Sequence, residues 1–186
     1  MLNIRPAKDA DRDAIWEIFH EVVAAGDTYP IDPKISREDA FAYWFREGTQ
    51  TYVAEQDRDS VGDAVSVPGK PTASPTDRER DRQLVGTYTL KPNQAGGGAH
   101  VANAAFMVPT SARGQRIGRA MGEHCLKEAR RLGFHAMQFN FVVSTNESAV
   151  KLWQMLGMKI VATLPGAFRH PDKGFVDVYV MFQSLD

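Results

Sequence analysis

Residues 110–124, TSARGQRIGRAMGEH, join a predicted strand directly to a helix that carries a glycine at every fourth position. Each of Gly114, Gly118 and Gly122 costs about 1 kcal/mol relative to alanine if it lies inside the helix. The first turn of a helix has unpaired backbone N–H groups and a partial positive charge, and glycine lets a ligand approach them. A strand, a bare turn and a basic helix start therefore predict an anion site, most naturally for phosphate.

A second interpretation of this helix stays open, in which the small residues only let it pack tightly on the sheet. Its other side is an apolar stripe for the core, made of Ile117, Met121, Cys125, Ala129 and Leu132. The segment is not a Walker loop, because no Gly-Lys-Ser/Thr follows, and its glycine spacing differs from the dinucleotide-binding fingerprint. Arg113, Arg116 and Arg119 can add charge-assisted contacts to a phosphate.

Strands and helices do not alternate regularly along the chain. Hydrophobic spacing and capping residues predict the order β-α-α-β-β-β-α-β-α-β-β, with the glycine-bearing helix running from about Gly114 to Arg131. We therefore expect a mixed sheet with helices on its faces. Residues 57–83, rich in charge, proline and serine, predict a mobile excursion between two hairpin strands. Residues 166–174, GAFRHPDKG, are predicted to form a loop.

Composition limits the classes of protein to which the chain can belong. A net charge of -1 gives no reason to expect a nucleic acid or an anionic membrane as partner. No apolar run is long enough to cross a bilayer, and the N-terminus lacks the apolar core of a signal peptide. The single Cys125 suits a reducing compartment, and the histidines show no metal-ligand spacing. We expect a cytoplasmic protein without a bound metal.

Two motifs resemble the signatures of the GNAT superfamily of N-acetyltransferases. QRIGRA, residues 115–120, matches Gln/Arg-x-x-Gly-x-Gly/Ala, whose backbone amides hold the pyrophosphate of acetyl-coenzyme A in that family. NESAVKLWQMLGM, residues 146–158, resembles the second signature, Asn-x-x-Ala-x-x-Leu-Tyr-x-x-x-Gly-Phe. The resemblance implies acetyl-coenzyme A as cosubstrate and one domain over residues 1–186, with a flexible insertion at about 57–83. It also implies an α/β fold with a mixed, largely antiparallel central sheet flanked by helices.

The resemblance further implies where the cosubstrate binds and where the chemistry occurs. A backbone N–H on the strand FMVP would cradle the thioester oxygen as it gains charge, and Val108 is the expected position. Trp153 stands where the family usually has a tyrosine, often proposed to protonate the leaving thiolate. Indole cannot give up its proton at neutral pH, so either the thiolate leaves unprotonated or Tyr179 or a water serves. The other expected cofactor contacts are Phe106, Met107, Arg113, Gly114, Gln115, Arg116, Ile117, Gly118, Arg119 and Asn146.

A narrower resemblance concerns the acceptor. Residues 137–153 and 162–181 resemble fungal acetyltransferases that act on L-azetidine-2-carboxylate and other proline analogues, and their bacterial relatives. Asn140 lies mid-strand among apolar residues, so we expect a buried amide. It either bonds neighbouring backbone or points into the cleft between the central strands and holds the carboxylate or amine of the substrate. Weaker candidates for substrate binding are Tyr29, His170 and Asp177, and candidates for the general base are Glu21, Glu55 and Asp177.

Three functions are compatible with the sequence. The first is an N-acetyltransferase that acts by direct transfer on a small amine or an imino or amino acid, including a toxic proline analogue. The second is a protein acetyltransferase that modifies a lysine or an N-terminus. The third is a non-enzymatic acetyl-coenzyme A-binding module, which the missing tyrosine keeps open. Asn140 and the anion turn favour the first. Relatives often form dimers, but nothing in this chain alone demands a homodimer.

Overall fold

The computed structural model describes residues 1–57 and 82–186, which form one mixed sheet with helices on both faces. The strands are β1 (Asn3–Pro6), β2 (Gln50–Asp57), β3 (Arg82–Pro92), β4 (Val101–Met107), β5 (Ala136–Val143), β6 (Lys159–His170) and β7 (Gly174–Ser184). The helices are α1 (Arg12–Ala24), α2 (Arg37–Trp44), α3 (Ile117–Arg131) and α4 (Glu147–Met155). The predicted mixed α/β class and element order are confirmed.

The predicted excursion at 57–83 is longer than the segment between the two strands. Asp57 ends β2 and pairs with Arg82, the first residue of β3, so the predicted hairpin is confirmed. Both residues had been included in the excursion, because their charge resembles that of the segment between them. The mobility predicted for residues 58–81 lies outside the described residues.

The sheet has the strand order β1-β2-β3-β4-β5-β7-β6, and β4 and β5 are its parallel pair. These two strands pair only where Val101 meets Ala136 and Ala102 meets Met137. Just beyond this pairing, the side-chain amide of Asn103 donates to the carbonyl oxygen of Gln138 at 2.7 Å. The rest of β4 and β5 then separates. We call the space between Asn103–Met107 and Gln138–Val143 the β4–β5 gap.

Two apolar cores cover the two faces of the sheet. α3 and α4 pack on one face, where Met121, Cys125 and Trp153 are buried. α1 and α2 pack over β2 to β4 on the other face, where Phe19 and Trp44 are buried. Cys125 is therefore a core residue, as expected, and burial raises the pKa of its thiol.

The glycine-bearing helix begins at Ile117, not near Gly114 as predicted. Gly114 has a φ of 79° and Arg116 has a φ of 62°, and both are left-handed. Within residues 1–57 and 82–186, Arg116 is the one non-glycine residue with a positive φ. Left-handed residues cannot continue a right-handed helix, so the basic residues before Ile117 form a turn.

The predicted loop 166–174 is mostly strand, which corrects that prediction. β6 continues to His170 and β7 begins at Gly174, so the connection is only a tight turn. The pairing of β6 with β7 is irregular between Leu164 and Phe168, where Gly166 has a φ of 59°. Gly166 therefore marks a β-bulge inside a long hairpin, and Pro171 lies in the turn that connects the two strands.

Candidate active site

One side of the β4–β5 gap is closed by three aromatic rings. Trp153 of α4 lies 4.7 Å from Phe106 and 4.9 Å from Phe139, measured between ring centroids. Only 8% of Trp153 is exposed. These contacts tie β4, β5 and α4 together at the point where the two strands separate, so Trp153 has a packing role whatever else it does.

Tyr29, from the loop between α1 and α2, occupies the free edge of β4. Its hydroxyl donates to the carbonyl oxygen of Phe106 at 2.6 Å and accepts from the N–H of Phe106 at 3.0 Å. Burial raises the pKa of Tyr29, with a smaller contribution from the nearby Tyr43, although the hydrogen bond with Phe106 opposes them. Tyr29 thus remains a phenol and satisfies the two backbone groups that β5 does not reach.

The two residues after Phe106 differ in what they can offer to a ligand. The Met107 side chain is fully buried in the core under α1 and α2, so only its backbone can contribute. Val108 follows the end of β4 and is half-buried. Met107 and Val108 both remain predicted cofactor contacts. Phe106 differs from them because its backbone N–H and carbonyl oxygen bond Tyr29.

The three glycines of the α3 segment have three different surroundings. A Cβ atom added at Gly114 would meet nothing within 4 Å, and one at Gly118 would lie 3.5 Å from Cδ2 of Leu152. A Cβ at Gly122 would lie 2.5 Å from Cδ1 of Leu156. Gly122 therefore allows α3 to pack against α4, as the second interpretation requires. Gly114 supplies the left-handed turn, and Gly118 leaves the first turn of α3 accessible, as an anion site requires.

The basic residues of this segment are exposed beside the start of α3. Arg113, Gln115 and Arg116 lie in the turn, and Arg119 pairs with Glu123 across one helical turn at 2.8 Å. The turn and the first turn of α3 therefore combine free N–H groups with three positive charges. The buried Ile117 side chain anchors the helix start in the core, so only its backbone faces this site.

Arg116 and Arg119 give a matched pair of stability predictions. We expect Arg116→Gly to raise the free energy of unfolding by up to about 1 kcal/mol, because glycine adopts a positive φ without strain. Arg119→Gly removes the same charge from inside α3 and should lower that free energy by about 1 kcal/mol. Urea denaturation of both variants checks the opposite signs, and a loss of stability in Arg116→Gly would contradict the left-handed turn.

On the other face of the sheet, four residues with carboxamide side chains are linked by hydrogen bonds, one of them through a backbone oxygen, in a series that we call the amide chain: Asn103, Gln138, Asn140 and Asn93. The Asn103 amide reaches the Gln138 backbone, and the Gln138 amide donates to Oδ1 of Asn140 at 2.8 Å. The Asn140 amide in turn donates to Oδ1 of Asn93 at 2.6 Å. The amide chain begins where β4 and β5 separate and therefore borders the β4–β5 gap.

Asn140 is exposed, which corrects the expectation of a buried amide. α1 and α2 cover β2 to β4 and end before β5, and the pairing of β5 with β7 is interrupted between Phe139 and Val142. Asn140 bonds side chains rather than backbone. Sequence reasoning missed Asn93, Asn103 and Gln138. The one signal was a polar residue in the otherwise apolar strand segment VANAAFM.

Two of the proposed substrate-binding residues hold the β6–β7 hairpin. His170 is buried, and its Nδ1 accepts from the N–H of Asp172 at 3.1 Å. Asp177 is exposed, and its Oδ1 accepts from the N–H of Gly166 at 2.9 Å. Tyr179 is half-buried on β7 and packs against the core under α3 and α4. The predicted roles of His170 and Asp177 in substrate binding and of Tyr179 in the chemistry remain predictions.

Asn146 caps α4, and it was one of the two residues, with Thr145, that the sequence offered for this position. Its Oδ1 accepts from the N–H of Ala149 at 3.3 Å, and this bond occupies one acceptor direction of the side chain. A contact of Asn146 with the cofactor therefore stays a prediction.

Two of the carboxylates considered as general base already have strong partners. Oε1 of Glu21 accepts from the N–H of Thr110 at 2.6 Å, and this bond lowers the pKa of Glu21. Glu55 is buried, and Arg5, Arg82 and Asn3 donate hydrogen bonds to it. Although burial alone would raise the pKa of Glu55, these bonds lower it. A carboxylate with a lowered pKa is a weak base.

Residues 1–57 and 82–186 contain no cluster of three or more His, Cys, Asp or Glu side chains arranged to hold a metal ion. Within the same ranges, none of the helices combines the length and the apolar character needed to span a bilayer.

Comparison with known proteins gives consistent matches. The family model for GNAT acetyltransferases matches residues 16–158. The N-acetyltransferase aca1 of Schizosaccharomyces pombe is 32% identical over 168 residues, which are 88% of this chain and 77% of that protein.

Solved structures are similar over nearly the whole chain. A GCN5-related N-acetyltransferase from Kribbella flavida is 40% identical, with a TM-score of 0.81 over 98% of this chain and 97% of that one. A GNAT superfamily phosphinothricin acetyltransferase from Sinorhizobium meliloti, solved with acetyl-coenzyme A, has a TM-score of 0.76 at 18% identity. The alignment covers 98% of this chain and 88% of that one, and this likeness concerns the fold alone.

Proposed function

The chain belongs to the GNAT family of acetyltransferases, and from that premise we propose that it acetylates a small molecule, either an amine or an amino or imino acid. It is an N-acetyltransferase that uses acetyl-coenzyme A. The observation that carries the choice of acceptor is the amide chain beside the β4–β5 gap. Its carboxamides can bond both an amine and a carboxylate. The cytoplasmic location expected from the sequence remains part of this proposal.

The residues at the gap fit acetyl-coenzyme A. The open first turn of α3 and the arginines beside it suit the pyrophosphate, and the free edge of β4 suits an extended amide-containing arm. Tyr29 already shows that a hydroxyl can form hydrogen bonds with both the N–H and the carbonyl oxygen of Phe106 at that edge. A ligand that binds there has to share or replace this contact.

We propose direct transfer between two bound substrates. The amine, in its neutral form, attacks the thioester carbonyl, a C–N bond forms and the C–S bond breaks. The electron pair of the C–S bond leaves with the thiolate, and the amine loses its proton to water. Val108, which directly follows β4, supplies the N–H group that we propose as the cradle for the oxygen, beside Phe106, whose own N–H donates to Tyr29. No protein nucleophile takes part, which agrees with the buried Cys125.

Asn140 is the residue that we propose holds the acceptor. Asn140→Ala should reduce kcat/KM for the amine by about tenfold to hundredfold, as expected for a lost substrate hydrogen bond of about 1–3 kcal/mol. The affinity for acetyl-coenzyme A should be unchanged. Steady-state kinetics with each substrate varied separately gives both values. Gln154→Ala, which removes an exposed carboxamide from α4, is the control and should change neither.

An acceptor panel tests the proposed function itself. Thiol release is measured with L-azetidine-2-carboxylate, L-proline, other amino acids, simple amines, and peptides that offer a lysine or a free N-terminus. Turnover of small acceptors well above that of peptides supports the proposal. Acetylation of peptides alone would make the protein a protein acetyltransferase. Binding of acetyl-coenzyme A without any turnover would make it a binding module.

A further inference from the structure

Lys91 is a half-buried cation that has no role in the proposed mechanism. It lies on β3 and is the register partner of Asn103 on β4, so the two side chains are neighbours on one face of the sheet. Its Nζ lies 5.6 Å from the ring centroid of Tyr43. Among residues 1–57 and 82–186, Lys91 forms no ion pair with a carboxylate. A partly buried charge without a counter-ion is unfavourable, so this ammonium can bind an anion.

The pairing of Lys91 with Asn103 places Lys91 beside the amide chain, which borders the β4–β5 gap. Asn103 belongs to the amide chain that leads to Asn140. Tyr43, on the other side of Lys91, is close enough to Tyr29 to raise its pKa, and Tyr29 bonds Phe106. Phe106 is three residues beyond Asn103, which is about 10 Å along a strand. The flexible lysine side chain and a small amino acid can together span that distance.

A second positive charge strengthens the local field. Burial and then the charge of Arg46, which follows α2, lower the pKa of the Lys91 ammonium. The charges of Lys91 and Arg46 therefore repel each other. Their mutual repulsion is relieved when an anion binds between or beside them. A carboxylate also accepts hydrogen bonds from the carboxamides of the amide chain.

We propose that Lys91 binds the carboxylate of the acceptor, which restricts the substrates to amino and imino acids with a free carboxylate. This inference rests on the proposed acetyl transfer to a small molecule and names its substrate class. The carboxylate lies between the Lys91 ammonium and the amide chain, and the amine of the same molecule points toward the edge of β4 near Phe106. Lys91 is then a specificity-determining residue, and simple amines lack the group that it recognises.

The test compares each acid with its own carboxamide. KM and kcat are measured with L-azetidine-2-carboxylate, L-proline and their carboxamides, for the wild type, Lys91→Met and Lys91→Arg. Lys91→Met should raise KM for the acids by about tenfold to hundredfold, the loss expected for one hydrogen bond to a charged group. KM for the carboxamides and for acetyl-coenzyme A should stay unchanged. Lys91→Arg keeps the charge and should retain most of the preference for acids.

The controls separate the possible failures. Lys127→Met removes an exposed lysine from α3 and should behave like the wild type, and melting temperatures show whether each variant folds. Equal losses for acids and carboxamides in Lys91→Met, or no loss, would overturn the role of Lys91. A wild type that acetylates simple amines as well as acids would overturn the inference and leave the proposed function standing. A wild type that acetylates no small acceptor would overturn both.

Discussion

Gly118→Glu should abolish the binding of acetyl-coenzyme A in a protein that still folds. Gly118 lies in the first turn of α3, and a Cβ there would make only an ordinary contact at 3.5 Å with Leu152. A glutamate would place its carboxylate where the pyrophosphate binds and repel it by charge and bulk. The free energy of unfolding should change by about 1 kcal/mol or less, since glutamate is a better helix former than glycine. Calorimetric titration should show at least about a hundredfold loss of affinity, or more than about 2.7 kcal/mol.

Gly118→Gln is the matched control for this variant. It has the size of glutamate without the charge, so it should lose less affinity than Gly118→Glu. The difference between the two should shrink as salt is added, because salt screens exposed charges. An unchanged affinity for acetyl-coenzyme A in folded Gly118→Glu would remove the phosphate site from the start of α3.

Local sequence patterns predicted those parts of the fold that local physics determines. The order of strands and helices followed from hydrophobic spacing, and the start of α4 followed from the pair of capping residues Thr145 and Asn146, of which Asn146 is the cap. Ser36 likewise accepts from the N–H of Asp39 at the start of α2. The strand, turn and helix around Gly118 are contiguous, so their role could be inferred from one short segment.

The parts of the site that were missed depend on contacts between distant segments. Tyr29 and Phe106 are 77 residues apart, and no periodicity connects them. The exposure of Asn140 depends on where α1 and α2 end over the sheet, which its own strand cannot reveal. Lys91 has an ordinary sequence context, and only its pairing with Asn103 places it beside the gap.

Backbone conformation explains the errors in the boundaries of α3 and β6. Arg116 is a good helix former, yet it is left-handed here and the helix starts one residue later. Gly166 was interpreted as part of a loop, yet its left-handed φ allows a bulge that keeps β6 paired with β7. At Arg116 the propensity of the residue was overridden by the turn, whereas Gly166 uses the conformational freedom of glycine to form the bulge.

Trp153→Ala should destabilise the protein by about 3–5 kcal/mol, the usual loss for truncating a buried tryptophan. Trp153 is 8% exposed and contacts Phe106 and Phe139, one from each side of the gap. A Cβ at Gly122 would lie 3.0 Å from its ring, so α3 is also packed directly on it. Its loss leaves a cavity between β4, β5 and α4 at the point where the strands separate. Urea denaturation at neutral pH measures the change.

Trp153→Phe and Trp153→Tyr separate this packing role from a role in the chemistry. A thiol with a pKa near about 8.5 can leave as the thiolate, so no protein acid is needed. Trp153→Phe should then reduce kcat by about tenfold or less, because only the packing around the ring changes. Trp153→Tyr should have a higher kcat than Trp153→Phe, because a phenol can donate a proton where indole cannot. A thousandfold loss of kcat in a folded Trp153→Phe would instead show that the indole N–H contacts the reacting atoms. Departure of the thiolate would then depend on a hydrogen bond from that N–H and would not be unassisted.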